Sequence, residues 1–167
     1  MTRRTRTMRI AALAALLTAA SLSPAYAQDA LNATGELRIA AVGQTRVVMV
    51  QGAAADPFVW EWTFLDEGVE SDEGMVDAVA TSVMYDCAAR TRRALVLEAY
   101  GDGKFLSQTP LYEEPAPVTP GTLVDGALQV VCEPETNSDG AVFPDMASAR
   151  AAMDVRKGPA TVQPEAR

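Results

Sequence analysis

The sequence contains no histidine among its 167 residues. It therefore has no Ser-His-Asp or Cys-His catalytic group and no imidazole ligand for zinc. A glycine-rich phosphate loop and a dinucleotide-binding fingerprint are also missing from the sequence. These absences predict a protein that is not an enzyme and that has no metal and no cofactor. The 22 acidic residues leave one enzymatic alternative, a small hydrolase that uses a pair of carboxylates.

An apolar run long enough to span a membrane comfortably is lacking as well. The Ala/Leu-rich run at residues 10–22 is short, and it follows a basic start formed by Arg3, Arg4, Arg6 and Arg9. Ala25-Tyr26-Ala27 then has the small-x-small pattern of a signal peptidase site. We expect residues 1–27 to be a signal peptide cleaved between Ala27 and Gln28, with an uncleaved anchor as the alternative. No cysteine at the cleavage site can accept a lipid, so we expect a soluble mature chain that is periplasmic or secreted.

Basic residues are few, with 14 lysines and arginines against 22 acidic residues and a net charge of −8. Removal of the four signal arginines would leave ten basic residues and a formal charge of −12. Such a charge repels phosphate backbones and anionic membranes. We therefore expect no nucleic-acid partner and no stable membrane insertion after cleavage.

Cysteine occurs only at positions 87 and 132. In an exported protein these residues predict one disulfide, for which Cys87–Cys132 is the one possible pairing. Closing this loop would stabilise the fold by about 4 kcal/mol on the loop-entropy model. Two separate buried thiols are the alternative. The close C-x-x-C spacing of a redox-active pair is absent.

Alternating apolar and polar residues predict most of the fold. We expect strands at residues 36–42, 45–51, 58–65, 79–87 and 90–100, and then a Gly101-Asp102-Gly103 turn with a return strand. A later apolar stripe at helical spacing predicts a helix with Thr119 or Thr122 as its N-cap; the stripe is formed by Leu123, Val124, Ala127, Leu128 and Val131.

These elements predict a single α+β domain over residues 28–157. We expect an antiparallel sheet of about five to six strands, with one C-terminal helix packed on it and a single disulfide. Residues 145–154 are compatible with a short second helix capped by Asp145. A flexible tail is expected at residues 158–167.

Two segments have both a structural and a functional interpretation. Phe58, Trp60, Trp62 and Phe64 share one face of a strand, which favours core packing over an exposed groove for sugar or peptide. Residues 66–77 are strongly acidic, which favours a solvated loop over a calcium site, since the spacing does not fit an EF-hand.

The mature chain has one basic cluster, formed by Arg90, Arg92 and Arg93. These residues are candidates for binding an anionic group on a partner. Pairing with nearby carboxylates is the favoured alternative.

Residues 85–93 (YDCAARTRR), the Gly-Asp-Gly turn and the helix that runs from Pro120-Gly121-Thr122 to Val131-Cys132 resemble the surface-adhesin protein E-like family. The resemblance covers residues 62–133. The sequence departs from the family pattern in its N-terminal strands and in lacking a lipid-acceptor cysteine. The resemblance implies an antiparallel sheet with a packed helix, a Cys87–Cys132 bridge, no catalytic residue and a role in binding. We therefore expect a binding domain for a protein or envelope partner. The alternative is a periplasmic accessory or inhibitor protein.

Overall fold

The structure, a computed structural model, describes residues 30–33, 35–52, 58–135 and 140–157. The predicted signal peptide, its Ala27–Gln28 cleavage site and the predicted tail at residues 158–167 lie outside the described residues. The strands are β1 (Leu37–Val42), β2 (Arg46–Gln51), β3 (Val59–Ser71), β4 (Gly74–Asp86), β5 (Thr91–Gly101), β6 (Lys104–Pro110), β7 (Ala116–Pro117) and β8 (Val142–Phe143). The helices are α1 (Leu123–Cys132) and α2 (Met146–Lys157), and a short 3-10 helix lies at Ala30–Asn32.

The described strands form one antiparallel sheet in the order β6-β5-β4-β3-β2-β1-β8, with β7 paired to the start of β5. From β1 to β6 each strand pairs with its neighbour in the chain. The predicted α+β class and antiparallel sheet are confirmed. The expected five to six strands and one helix are too few, because the described residues contain eight strands and two helices.

Short or weakly amphipathic elements account for this difference. Strands β7 and β8 have two residues each, which is too few to show an alternating pattern. Helix α2 has a narrow apolar stripe, in which Ala149 and Met153 are buried. Asp145 precedes this helix, and its Oδ1 accepts a hydrogen bond from the Ser148 N–H at 2.8 Å, as an N-cap does. That hydrogen bond lowers the pKa of the Asp145 carboxyl.

The acidic stretch at residues 66–77 is a hairpin, which corrects the prediction of a loop. Strand β3 continues to Ser71 and β4 begins at Gly74, so only two residues form the turn. The Ser71 hydroxyl donates a hydrogen bond to the Gly74 carbonyl oxygen at 2.7 Å, and Gly74 has a φ of 129°. Residues 67–70 are exposed. Because this part of β3 lies outside the core, its sequence has no apolar alternation to indicate a strand.

Both faces of the sheet are covered over its centre. On one side, here called the aromatic face, Trp60, Trp62 and Phe64 pack under α2 and the 3-10 helix. On the other side, here called the α1 face, four valines pack against Ala127 and Val130 of α1; they are Val48, Val50, Val59 and Val83. Core packing is therefore confirmed for three of the four alternating aromatics.

Two buried polar side chains hold the 3-10 helix and the residues after it on the aromatic face. The Glu98 carboxylate, 1% exposed, accepts hydrogen bonds from the Ala30 N–H, the Tyr100 hydroxyl and the Gln108 amide. The Gln51 amide donates to the Ala33 carbonyl oxygen at 3.0 Å. This end of the described chain is thus tied to the sheet by buried hydrogen bonds, which are costly to break.

Helix α1 starts after Thr122, one of the two predicted N-caps, and ends at Cys132 as expected. Thr122 is the N-cap, and its hydroxyl oxygen accepts a hydrogen bond from the Asp125 N–H at 3.2 Å. At the other end Cys132 is bonded to Cys87, with a Cα–Cα distance of 5.5 Å. The predicted disulfide is confirmed. It joins the last turn of α1 to the connection between β4 and β5.

Candidate functional site

The predicted basic cluster is divided between the two faces of the sheet. Arg92 and Arg93 are consecutive residues of β5, and side chains alternate along a strand. Arg92 pairs across the sheet with Tyr85 on the α1 face, whereas Arg93 pairs with Met84 on the aromatic face. Arg90 lies in the turn before β5, with a φ of 51°. The three arginines therefore do not form a single binding surface.

Arg92 is neutralised inside the protein by Glu61. Its Nη2 lies 2.8 Å from Glu61 Oε2, and its Nε donates to both oxygens of the same carboxylate at 3.1 and 3.2 Å. The Tyr85 hydroxyl also hydrogen-bonds Glu61. Burial works against the charged guanidinium, but the hydrogen bonds and charge of Glu61 outweigh it and raise the pKa of Arg92. Arg92 is therefore a structural ion-pair residue in this geometry.

The same carboxylate keeps Tyr85 in its neutral form. Burial raises the pKa of the Tyr85 hydroxyl, and the charge and hydrogen bond of Glu61 raise it further. A neutral hydroxyl beside a paired carboxylate provides neither an available base nor a nucleophile. This buried group therefore resembles a structural hydrogen-bond network more than a catalytic site.

Arg90 is paired as well, with the first turn of α1. Its Nη2 lies 2.5 Å from Asp125 Oδ1, and the Asp125 side chain is 6% exposed. Asp125 Oδ2 accepts further hydrogen bonds from the Gly121 N–H and the Gln129 amide. Arg90 thus holds the turn before β5 against the first turn of α1, and the disulfide joins the same turn to the other end of this helix.

Arg93 differs from both, because it borders a cavity. The Arg93 cavity has a volume of about 270 Å³ and is open to solvent on the aromatic face, beyond the part covered by α2. It is lined by Phe58, Met84, Arg93, Leu95, Val96 and Tyr112. Phe58, the first of the alternating aromatics, thus lines this cavity instead of the core.

Two backbone irregularities build the Arg93 cavity. The pairing of β4 with β5 shifts register between Ser82 and Val83, so that Leu95 is an extra residue on β5. This bulge allows Leu95 and Val96, although consecutive, to line the same cavity. Tyr112 adopts a left-handed φ of 47°, and its N–H donates to the Leu95 carbonyl oxygen at 3.3 Å. Irregularities of this kind recur next to functional sites.

The guanidinium of Arg93 is held on one side only. Its Nε donates to the Glu113 carbonyl oxygen at 3.0 Å. The described residues provide no hydrogen-bond partner for its two terminal nitrogens. A fixed guanidinium with two remaining donor groups at the edge of an apolar cavity can bind an anionic group attached to an apolar one.

Two other cavities have a less distinctive chemistry. One, of about 310 Å³, includes Arg92, Glu113 and the N-cap Thr122. Arg92 already contacts two carboxylates there, since Glu113 Oε2 lies 3.9 Å from its Nη1. The other, of about 290 Å³, includes both Glu36 and Arg38. Each of these two cavities contains a glutamate beside its arginine, whereas the lining of the Arg93 cavity includes no acidic side chain.

The acidic hairpin does not form a metal site in the part of the chain that the structure describes. No group of three or more carboxylate or cysteine side chains within these residues is arranged to hold a metal ion. Asp66 and Asp77 instead pair with Arg156 and Arg150 of α2, at 3.2 Å in each case. Within the same residues, neither helix is long and apolar enough to cross a membrane.

No family model, curated protein or solved structure matches this chain. The assignment of a site therefore depends on the geometry of the described residues. Of the residues predicted for partner binding, Arg90 and Arg92 are paired with buried carboxylates. Arg93 lines an open cavity and has no carboxylate partner within the part of the chain that the structure describes. Tyr112 and the bulge at Leu95 carry no sequence signal that could have placed them in a site.

Proposed function

We propose that this protein is an exported, non-enzymatic binding domain of the surface-adhesin protein E-like kind, and that it binds a protein partner at the Arg93 cavity. The observation that carries the proposal is the combination in one cavity of a solvent-open apolar lining and a guanidinium with unpaired donors. Sites of this composition are the usual starting hypothesis for ligand binding. The resemblance of residues 62–133 to the adhesin-like family supports the same class of function.

Exposure of large apolar side chains supports this choice of surface. Met84 and Tyr112, at 36% and 52% exposed, stand at the border of the Arg93 cavity. Apolar side chains that border a pocket are typical anchor points for a protein partner. Tyr112 is suited to this role because an aromatic ring offers a large contact area at a low cost in conformational entropy.

Site-specific photo-crosslinking in the native host tests the proposal. A benzophenone amino acid in place of Tyr112 should give a discrete crosslinked partner after irradiation. The matched control is the same replacement at Phe105 of β6, which is also about half exposed but lies outside the cavity. Equal crosslinking at both positions, or none at Tyr112 in correctly folded protein, would refute the assignment of the site.

Limited proteolysis of intact cells identifies the compartment in which the partner is to be sought. Lys104 is exposed at the start of β6, directly after the turn that follows β5, and offers a cleavage site for trypsin. Cleavage on intact cells supports an adhesin-like role at the surface. Cleavage only after the outer envelope is opened supports the alternative role, that of a periplasmic accessory or inhibitor protein.

A further inference from the structure

We infer, building on the proposed function, that the Arg93 cavity binds the C-terminal residue of a basic polypeptide. In this mode the terminal apolar side chain fills the cavity and the α-carboxylate binds the unpaired nitrogens of Arg93. The inference follows from the size of the cavity, the geometry of the guanidinium and the charge of the whole protein.

The size of the cavity limits the ligand to about one side chain. Sites for drug-sized ligands have volumes of roughly 300–1,000 Å³, whereas a cavity of about 150 Å³ accommodates a benzene ring. The Arg93 cavity, at about 270 Å³, lies between these values. Phe58, Met84 and Val96 offer it a lining of aromatic, thioether and aliphatic groups. One leucine- or phenylalanine-sized group with an adjoining polar atom fits this space.

The geometry of Arg93 selects a carboxylate next to that side chain. With Nε held by the Glu113 carbonyl oxygen, the plane of the guanidinium is restrained and its two terminal nitrogens remain as donors. Two parallel N–H donors match the two oxygens of a carboxylate. The C-terminal residue of a polypeptide carries its side chain and its carboxylate on the same carbon atom. An internal apolar residue has no such carboxylate.

The charge of the domain determines what precedes that residue. The chain has a net charge of −8, so an acidic polypeptide would be repelled over most of its approach. The exposed Glu114 lies two residues after Tyr112 in the chain. Its carboxylate and the net negative charge of the protein favour lysine or arginine in the residues just before the C-terminus of the partner.

Fluorescence anisotropy with synthetic peptides tests this inference on the exported, disulfide-bonded protein. The probe is a labelled hexapeptide with two lysines and a C-terminal leucine, compared with the same peptide carrying a C-terminal amide. We expect amidation to weaken binding by roughly 10-fold or more, because it removes the charge that Arg93 would bind. Replacement of both lysines by glutamate should weaken binding as well. Equal affinity for the free-acid and the amidated peptide would overturn the inference. This comparison uses wild-type protein only, so it does not depend on whether a variant folds.

Protein variants provide the second arm of the test. Arg93→Gln should remove the preference for the free acid, and Arg93→Lys should retain part of it, since a lysine keeps the charge but not the planar fork. Arg46→Gln is the matched control, because Arg46 is an exposed arginine of β2 outside the cavity. Loss of the preference in Arg46→Gln would show a non-specific charge effect and would overturn the inference.

Two further outcomes separate this inference from the proposed function. Hexanoate that competes as well as the peptide would identify a small amphiphilic acid as the ligand and would overturn recognition of a polypeptide. Specific crosslinking at Tyr112, together with equal binding of acid and amide, would leave the proposed site intact and refute C-terminal recognition alone. Absence of both crosslinking and peptide binding would refute both.

Discussion

Replacement of Gly126 in helix α1 by alanine provides a test of the packing, because helix propensity predicts a gain in stability and tertiary packing predicts a loss. Alanine is the better helix former by about 1 kcal/mol, so an isolated helix would be stabilised. In the folded protein, however, a Cβ atom at this position would lie 2.6 Å from the Ala40 carbonyl oxygen and 2.9 Å from the Ala41 Cβ. Neither atom belongs to a side chain that can rotate away.

The expected magnitude follows from these two effects. Forcing an extra carbon into a well-packed contact costs typically 1–3 kcal/mol. The upper part of this range applies here, because relief requires that α1 moves away from β1. After subtraction of the helix propensity gain, we expect Gly126→Ala to lower the free energy of unfolding by about 1–2 kcal/mol.

Urea denaturation followed by tryptophan fluorescence measures this change, since Trp62 is fully buried in the native state. The matched control is Gly68→Ala in the acidic hairpin. A Cβ there would also meet atoms at 2.8 Å, but these belong to the side chain of Met75, which is 57% exposed; the nearest backbone atom, the Val76 carbonyl oxygen, lies at 3.2 Å. We expect this variant to stay within about 0.5 kcal/mol of wild type. An increase in stability for Gly126→Ala would show that α1 does not pack against β1 as closely as described.

Three further predictions concern the disulfide and the buried ion pair. The Cys87→Ser/Cys132→Ser variant should have a free energy of unfolding about 4 kcal/mol lower than wild type, which lowers the melting temperature by roughly 10–15 °C. A reductant should lower the melting temperature of wild type only. Unchanged melting curves would contradict the stabilising role of the disulfide. Arg92→Met should lower the free energy of unfolding, measured by denaturant titration, by about 3–5 kcal/mol, because it leaves Glu61 buried and unpaired. The double variant Arg92→Met/Glu61→Leu should recover part of this loss. Strictly additive losses would show that the two residues are not coupled. Because the pKa of Tyr85 is raised in the folded state, the folded protein retains a proton that the unfolded chain releases above pH 10, so stability should fall as pH rises beyond that value. When stability is measured from pH 8 to 11, Tyr85→Phe should lose the part of the decline that begins near pH 10, and an unchanged pH dependence would contradict the burial of the hydroxyl.

The parts of the fold that the sequence predicts are those encoded by local periodicity. Strands β4 and β5 follow from alternation and from the turn at residues 101–103, and α1 follows from its apolar stripe and from Thr122. The Cys87–Cys132 bridge needed only the count of cysteines and the expectation of export. Each of these signals lies within a short window of sequence, where the spacing of residues determines which face is buried.

The candidate site was only partly accessible to such reasoning. The alternation of side chains along β5 already implies that Arg92 and Arg93 point to opposite faces, and that signal could have separated them. The bulge at Leu95 depends on the register between two strands, and the left-handed conformation of Tyr112 occurs at a residue type that rarely adopts it. Neither feature produces a recognisable pattern in a single sequence, so the Arg93 cavity could be found only in the structure.

The order of the strands has a consequence for how the chain reaches its native state. Strands β1 to β6 pair successively, so each hairpin can form after closing only a short loop, and assembly can begin at any of them. The pairing of β8 with β1 is the exception, because it brings together two ends of the described chain. We therefore expect strands β1 to β6 to pair rapidly and the segment formed by β8 and α2 to pack against them late in folding. If the chain is exported N-terminus first, as we propose, it would form most of its sheet before its last helix has crossed the membrane.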